Sequence, residues 1–392
     1  MSQANSPSPN ATPSSLGSRD QPTWVVFCRV IDNLGDIGVC WRLCSNLAQH
    51  GIRVELWIDV PDDLSWMAPG ALEGAVTGIT VHHWAEPLDA GQRIAAGQMT
   101  EADVWIEAFG CNPPDVCLAA LAELIAKGRQ APVWLNLEYM SAESYVERCH
   151  RLPSPIMTGP LVGVTKHFFY PGFTSRTGGL LREADLMERQ AHFQATHWMN
   201  TRLGLQPSEV HRALMFCYAP EAMQSLLSQW NSGAEPVECL VTPGWASDAV
   251  DEALGEITAS ADGQLTLKAL PYVTQPEFDQ LLWSTDFNFV RGEDSLVRAL
   301  WAGKPFVWQI YPQDDGAHHA KLEAFLDWLD APDSWRAFHR QWNGIGDDPL
   351  RWPGWDEVQR WQSVVLAARD KLLRQDDLAT QLMGFVSRLR QA

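Results

Sequence analysis

The chain has little positive charge and lacks the long apolar runs of membrane proteins. Its 392 residues include 29 Lys and Arg against 48 Asp and Glu, which gives a formal net charge of −19. Such a charge repels phosphate backbones and anionic lipid surfaces, so neither a nucleic acid nor a membrane is expected as a partner. No stretch approaches the roughly 20 uncharged apolar residues of a spanning helix, and the N-terminus lacks the order of a secretion signal. We therefore expect a cytoplasmic protein.

Disulfide and metal patterns are missing as well. The eight cysteines form no C-x-x-C pair and several lie within apolar runs, so we expect reduced thiols in the core. Histidines occur as adjacent pairs at 82–83 and 318–319, which is not the spacing of zinc ligands. No metal is therefore expected. The first 22 residues, rich in Ser, Pro, Asn and Ala, predict a disordered tail.

From residue 24 onward, short apolar runs alternate with helical periodicity. Residues 24–31 predict a strand, 37–48 a helix and 52–58 a second strand, which together form a β-α-β unit. Similar alternation continues to residue 137 and resumes from 213 to 310, after a loop-rich stretch and a polar helix at about 184–203. The pattern predicts an α/β fold with two Rossmann-like doubly wound domains facing a cleft. We place them at 23–207 and 208–365, with a C-terminal helix, 366–392, packing across both.

The first candidate site is the pair Asp32 and Asp36, directly after the first predicted strand. The carboxyl ends of strands in open α/β sheets face the ligand crevice, so both carboxylates are expected there. The glycine spacing at Gly35 and Gly38 is not the G-x-G-x-x-G of dinucleotide sites. An alternative stays open, because Asp36 could be an ordinary helix N-cap and Asp32 could open an Asx turn.

The second candidate is a predicted helix N-terminus that follows the strand ending at Val290. Free N–H groups at such a terminus bind diphosphates, and Arg291 and Ser295 add hydrogen-bond donors. Glu293 and Asp294 would repel phosphate, so their carboxylates must turn away from it, toward a sugar or ribose hydroxyl. Acidic residues in a first helical turn are equally explained by the helix dipole alone.

The third candidate is Phe216 with Tyr218, on the same face of the first strand of the second domain. Two such rings could sandwich a flat base, and Gln275 could read the hydrogen-bonding edge of that base. The same residues would serve equally well as strand core and helix start.

Several blocks of the sequence resemble, in order, the bacterial protein-arginine rhamnosyltransferases that modify translation elongation factor P, the EarP family. The blocks span nearly the whole chain after the tail and lie at 31–43, 136–139, 169–173, 177–181, 291–295, 311–313 and 317–318. The resemblance implies a GT-B fold and inverting, metal-independent transfer of L-rhamnose from dTDP-β-L-rhamnose to one arginine. It also implies that the modified factor serves the rescue of stalled polyproline translation, and that no cofactor is needed.

The resemblance also assigns roles to individual residues. Asp36 corresponds to the proposed general base, with Asp32 and Glu293 as further acidic residues of the active site. The donor-binding positions that it implies are Phe216, Tyr218, Tyr272, Gln275, Arg291, Asp294 and Ser295. Two other functions fit a two-domain cleft: a nucleotide-sugar epimerase or small-molecule glycosyltransferase, and a binding module without catalysis.

Overall fold

The computed structural model describes residues 21–84, 101–256, 263–313 and 316–391. The predicted tail lies outside these ranges except for residues 21 and 22. Within the described residues, none of the helices combines the length and the apolar character needed to cross a membrane.

The N-terminal domain is built on a seven-stranded sheet. Its strands are β1 (Thr23–Cys28), β2 (Arg53–Ile58), β3 (Ile79–His83), β4 (Val104–Ala108), β5 (Val133–Leu137), β6 (Pro153–Pro155) and β7 (Thr165–Phe169). They are ordered β3-β2-β1-β4-β5-β7-β6, and only β6 pairs antiparallel. The helices are α1 (Asn33–Gln49), α2 (Leu64–Met67), α3 (Asp115–Ala126) and α4 (Ser144–Cys149). Apolar side chains of β1 point into separate clusters on the two faces, which explains why its sequence is apolar throughout.

The C-terminal domain is built on a five-stranded parallel sheet. Its strands are β8 (His211–Met215), β9 (Val237–Val241), β10 (Leu265–Ala269), β11 (Phe287–Arg291) and β12 (Phe306–Gln309), ordered β10-β9-β8-β11-β12. The helices are α7 (Met223–Asn231), α8 (Trp245–Glu256), α9 (Gln275–Ser284), α10 (Gly292–Ala302), α11 (Ala317–Trp328) and α12 (Asp333–Trp342). The sequence pattern of the second half predicts helix starts near residues 221, 247, 276, 293 and 316, and helices α7 to α11 begin within two residues of these positions.

The chain crosses between the domains twice. It passes through α5 (Leu186–Ala191) and α6 (Ala195–Leu203) and returns through α13 (Trp355–Leu373) and α14 (Leu378–Gln391). Trp361 of α13 belongs to the C-terminal core, whereas Leu382 of α14 belongs to the N-terminal core. The last helix therefore closes the fold onto the first domain.

Three details differ from the sequence prediction. The single polar helix at 184–203 is two helices, and between them the Phe193 ring packs edge-on against Trp283, 5.2 Å away. The predicted boundary between residues 365 and 366 falls inside α13, because one buried stripe runs on from Val358 to Leu372. The first strand ends at Cys28, so residues 29–32 form the loop before α1. All eight cysteines are free thiols, and seven are buried, as expected.

Candidate active site

The carboxyl ends of β1 and β11 face each other across the cleft, and the helices that follow them, α1 and α10, pack together. An open cavity lies between the two sheets, with about 710 Å³ of empty space when its mouth is included. Both domains contribute to its lining, which is Asp32, Leu34, Gly35, Arg42, Trp66, Met67, Phe216, Thr242, Pro243, Pro271, Tyr272, Val273, Gln275, Phe278, Arg291, Asp294 and Ser295.

Asp36 is a buried carboxylate in the first turn of α1. Its Oδ2 accepts hydrogen bonds from the backbone N–H groups of Ile31 (2.8 Å) and Asp32 (2.9 Å), and its Oδ1 accepts one from the Tyr139 hydroxyl (3.3 Å). Burial raises the pKa of the Asp36 carboxyl to about 6, and the two backbone hydrogen bonds limit the rise. The simple N-cap alternative is wrong, because the helix already begins at Asn33. Asp36 is therefore a carboxylate poised to bind a proton near neutral pH.

Asp32 joins the two domains. Its Oδ2 accepts a hydrogen bond of 2.7 Å from the hydroxyl of Tyr218, which follows β8 in the other domain. Burial raises the pKa of Asp32, while the Tyr218 hydrogen bond and the charge of Arg291 oppose that rise. Gly292 has a φ of 64°, and a Cβ there would come within 3.0 Å of the same Asp32 oxygen. Glycine thus permits both the backbone turn and the approach of the two domains.

Arg291, at the end of β11, lies over two aromatic rings. Its guanidinium carbon is 4.9 Å from the ring centre of Phe216 and 4.6 Å from that of Tyr218. Its Nη1 is buried and has no hydrogen-bond partner among the described residues. Because a buried charged donor is costly without a partner, this atom points to an anionic ligand.

Phe216 and Tyr218 follow β8, which ends at Met215, rather than lying on that strand as predicted. They do not form the predicted sandwich for a base, because Arg291 lies over both rings. Phe216 instead packs edge-on against Phe278, 5.1 Å away, and both line the cavity. Tyr272 packs on Trp66 of the first domain with ring centres 4.7 Å apart. These four rings form an apolar region suited to a flat base.

Two predicted donor contacts are already engaged within the protein. The Gln275 amide Nε2 donates to the carbonyl of Gly38 in α1 (3.0 Å), so it bridges the domains. The Ser295 hydroxyl donates to the carbonyl of Arg291, one turn back. Both residues line the cavity, but neither of these donors is directed into it.

The carboxylates of Glu293 and Asp294 turn toward protein partners. Glu293 accepts a hydrogen bond of 2.8 Å from the backbone N–H of Met140 and pairs with Lys321 of α11. Asp294 pairs with Arg42 of α1, with 3.0 Å between Asp294 Oδ1 and Arg42 Nε. Sequence reasoning required these carboxylates to turn away from phosphate, but it expected hydroxyl partners rather than cations.

Sequence reasoning gave no role to Tyr139, Lys321 or Arg42. Tyr139 stacks on Phe109 with ring centres 4.3 Å apart and planes at 12°. Burial and the neighbouring charges of Asp36 and Glu293 raise the pKa of Tyr139, so its hydroxyl acts as a hydrogen-bond donor. Tyr139 and Arg42 lie within the sequence blocks that carry the family resemblance. Their position in these blocks is the sequence feature that could have indicated a role in the site.

Known proteins are similar to this chain in sequence and in fold. The family described as "Elongation-Factor P (EF-P) rhamnosyltransferase EarP" matches residues 24–387. Two proteins named protein-arginine rhamnosyltransferase cover 93% of this chain and 98% of their own length: that of Pseudomonas putida is 41% identical and that of Pseudomonas aeruginosa 37%. A solved structure that concerns EarP-mediated arginine glycosylation of elongation factor EF-P is 26% identical, with a TM-score of 0.59 over 94% of this chain and 99% of its own. The fold class is thus the predicted α/β GT-B class, and the chain belongs to the EarP family of elongation factor P rhamnosyltransferases.

Proposed function

We propose that this chain transfers L-rhamnose from dTDP-β-L-rhamnose to one arginine side chain of translation elongation factor P, with inversion at the anomeric carbon. The observation that carries the proposal is the buried Asp36 carboxylate, one residue from Gly35 in the lining of a cavity that also contains Arg291, whose Nη1 has no hydrogen-bond partner among the described residues. The curated relatives are named for arginine rhamnosylation, and the solved structure concerns elongation factor P as the protein that is glycosylated.

The acceptor side needs a base. An arginine guanidinium stays protonated and its nitrogen lone pairs are delocalised, so it is a weak nucleophile. We place the guanidinium against Asp36, which orients one nitrogen and takes its proton as that nitrogen bonds to C1 of the rhamnose. Asp32 lies next to this position and adds negative charge for the cation. The net charge of −19 also favours a cationic acceptor.

The donor side needs positive charge where the bond breaks. As the nitrogen attacks, the bond from C1 to the diphosphate oxygen breaks and dTDP leaves with the electron pair. Arg291 and the free N–H groups of α10 can stabilise the negative charge that develops there. Lys321 and Arg42 neutralise Glu293 and Asp294, which would otherwise repel the diphosphate. The proposal therefore requires no metal ion.

The thymine base fits the apolar region formed by Phe216, Phe278, Trp66 and Tyr272. Attack from the side opposite the diphosphate inverts the β-linked donor to an α-linked product.

That the rhamnosylated elongation factor P rescues stalled polyproline translation stays a prediction.

A transfer assay tests the proposal. Purified chain is incubated with elongation factor P and either dTDP-β-L-rhamnose or UDP-glucose, with and without EDTA, and the mass of the intact factor is measured. We expect a gain of one deoxyhexose with the rhamnose donor only, undiminished by EDTA and absent when the acceptor arginine is replaced by Lys. Conversion of the donor without elongation factor P would indicate an epimerase instead, and binding of dTDP without turnover would indicate a binding module.

A further inference from the structure

A cluster of five charged side chains lies at the domain interface next to the cavity, and three of them are buried. Arg42 extends from α1 with a side chain that is only 4% exposed. Three carboxylates surround it: Asp279 of α9 (Nη2 to Oδ1, 3.1 Å), Asp294 of α10 (Nε to Oδ1, 3.0 Å) and Glu183 of the segment between the sheets (Nη1 to Oε1, 3.5 Å). Arg298 of α10 is the second cation.

The two arginines share their partners unequally. Arg298 holds Asp279 through two bonds, Nε to Oδ1 (2.8 Å) and Nη2 to Oδ2 (2.6 Å), and Glu183 through a third of 2.9 Å. Asp279 and Glu183 would therefore keep a partner without Arg42. Among the described residues, Asp294 is hydrogen-bonded by Arg42 alone. The contact that Arg42 does not share with Arg298 is thus the hydrogen bond to Asp294, although the charge of Arg298 also acts on that carboxylate.

Asp294 lines the cavity beside Arg291 and Ser295, where the proposed function places a diphosphate. An unpaired carboxylate at this point would repel that anion, and a buried charge that has lost its partner is itself costly. We propose that Arg42 is a positioning residue for the donor: it holds and neutralises Asp294 from the opposite domain, so that the C-terminal sheet offers a complete diphosphate site only while α1 is docked on it.

Two further contacts show that α1 and the donor site are held together as one unit. Arg42 Nη2 donates to the carbonyl of Gln275 (3.3 Å), and Gln275 Nε2 donates back to the carbonyl of Gly38 (3.0 Å). A Cβ on Gly38 would lie 3.3 Å from Gln275 Nε2 and 3.4 Å from Asp294 Oδ2. Because α1 also carries Asp36, the docking that completes the donor site brings the proposed base to it.

The affinity for dTDP, measured by calorimetry, tests this inference. The inference rests on the proposed function, because dTDP is the nucleotide of the proposed donor. We expect Arg42→Met to weaken the Kd at least tenfold, which corresponds to ~1.4 kcal/mol. Asp294→Asn in the same chain should restore most of that affinity, because it removes the unpaired charge. The control is Arg212→Met, which removes an arginine paired with Glu238 (2.6 Å) in the C-terminal sheet and should leave the Kd unchanged.

Three results would overturn the inference: an unchanged Kd in Arg42→Met, no recovery in the double variant, or marked weakening by Asp294→Asn alone. The last would mean that the Asp294 carboxylate itself grips the donor. If circular dichroism shows that Arg42→Met does not fold, Arg42→Gln replaces it under the same criteria, because its amide can still donate to Asp279. If the unmodified chain does not bind dTDP, the proposed donor is refuted instead. This result separates a failure of the proposed function from a failure of the inference about Arg42.

Discussion

Replacing Asp36 by Asn should stabilise the protein while it abolishes transfer. Asn is nearly isosteric, and its single carbonyl oxygen can accept from Ile31 and Asp32 as Asp36 Oδ2 does. The amide cannot take a proton, so turnover should fall by roughly 10² to 10⁴. Donor binding should be unchanged, because the change lies on the acceptor side.

The magnitude of the stabilisation follows from the carboxyl pKa. Burial raises it from an ordinary 3.8 to about 6. Below pH 3.8 the carboxyl is protonated in both the folded and the unfolded chain, so the shift has no effect on stability. Between pH 3.8 and about 6 the unfolded carboxyl is ionised while the folded one keeps its proton, so the free energy of unfolding falls as the pH rises. Above about pH 6 both are ionised and the loss stays constant. Linkage gives a cost of roughly 1.5 kcal/mol at pH 5 and about 3 kcal/mol at pH 8, and Asn removes it.

Urea denaturation at pH 5 and pH 8 measures this difference directly. We expect the free energy of unfolding of Asp36→Asn to exceed that of the unmodified chain, and by more at pH 8 than at pH 5. The control Asp59→Asn removes a half-buried carboxylate that accepts from the Val30 N–H at 2.9 Å, and should show no such gain. An Asp36→Asn variant that is less stable at pH 8 would show that the folded site favours the ionised carboxylate, which would refute the reasoning.

The pH profile of transfer and the affinity for the donor should also depend on residues of the site. The rate of transfer should fall tenfold per pH unit below about 6, since Asp36 must be ionised to act as a base, and a flat profile between pH 5 and 7 would contradict this. Tyr139→Phe removes a hydrogen bond to the ionised Asp36, so this acid limb should move to higher pH without a change in donor Kd. Phe216→Ala should weaken dTDP binding by roughly 1 to 3 kcal/mol through lost base stacking. An unchanged calorimetric Kd would show that Phe216 only packs within the protein and does not bind the base.

The fold was largely predictable because it depends on local patterns. Apolar runs alternating with helical periodicity located both parallel sheets, and the strand-to-helix junctions placed Asp32, Asp36 and Arg291 at the carboxyl ends of strands. Those junctions are where open α/β sheets bind ligands, so sequence position alone pointed to the cavity that Asp32 and Arg291 line.

Contacts between the domains were not predictable in the same way. Arg42 lies off the apolar stripe of α1, so the periodicity of this helix alone predicts a solvent-exposed side chain. In the structure the second domain buries it. Its partner Asp294 is 252 residues away, and Tyr218 is 186 residues from Asp32. Such pairs depend on how two sheets dock, which no local periodicity encodes. The position of Arg291 over Phe216 was missed because β8 and β11, which carry these residues to the same edge of the C-terminal sheet, are neighbours in the sheet but distant in the sequence.

The most direct test of the account is a crystal structure of the chain with dTDP and elongation factor P bound together. We predict that an Asp36 carboxylate oxygen lies within hydrogen-bond distance of the acceptor guanidinium, with Arg291 Nη1 on the diphosphate of dTDP. An acceptor arginine bound against another carboxylate, with Asp36 out of reach of its nitrogens, would contradict the central claim.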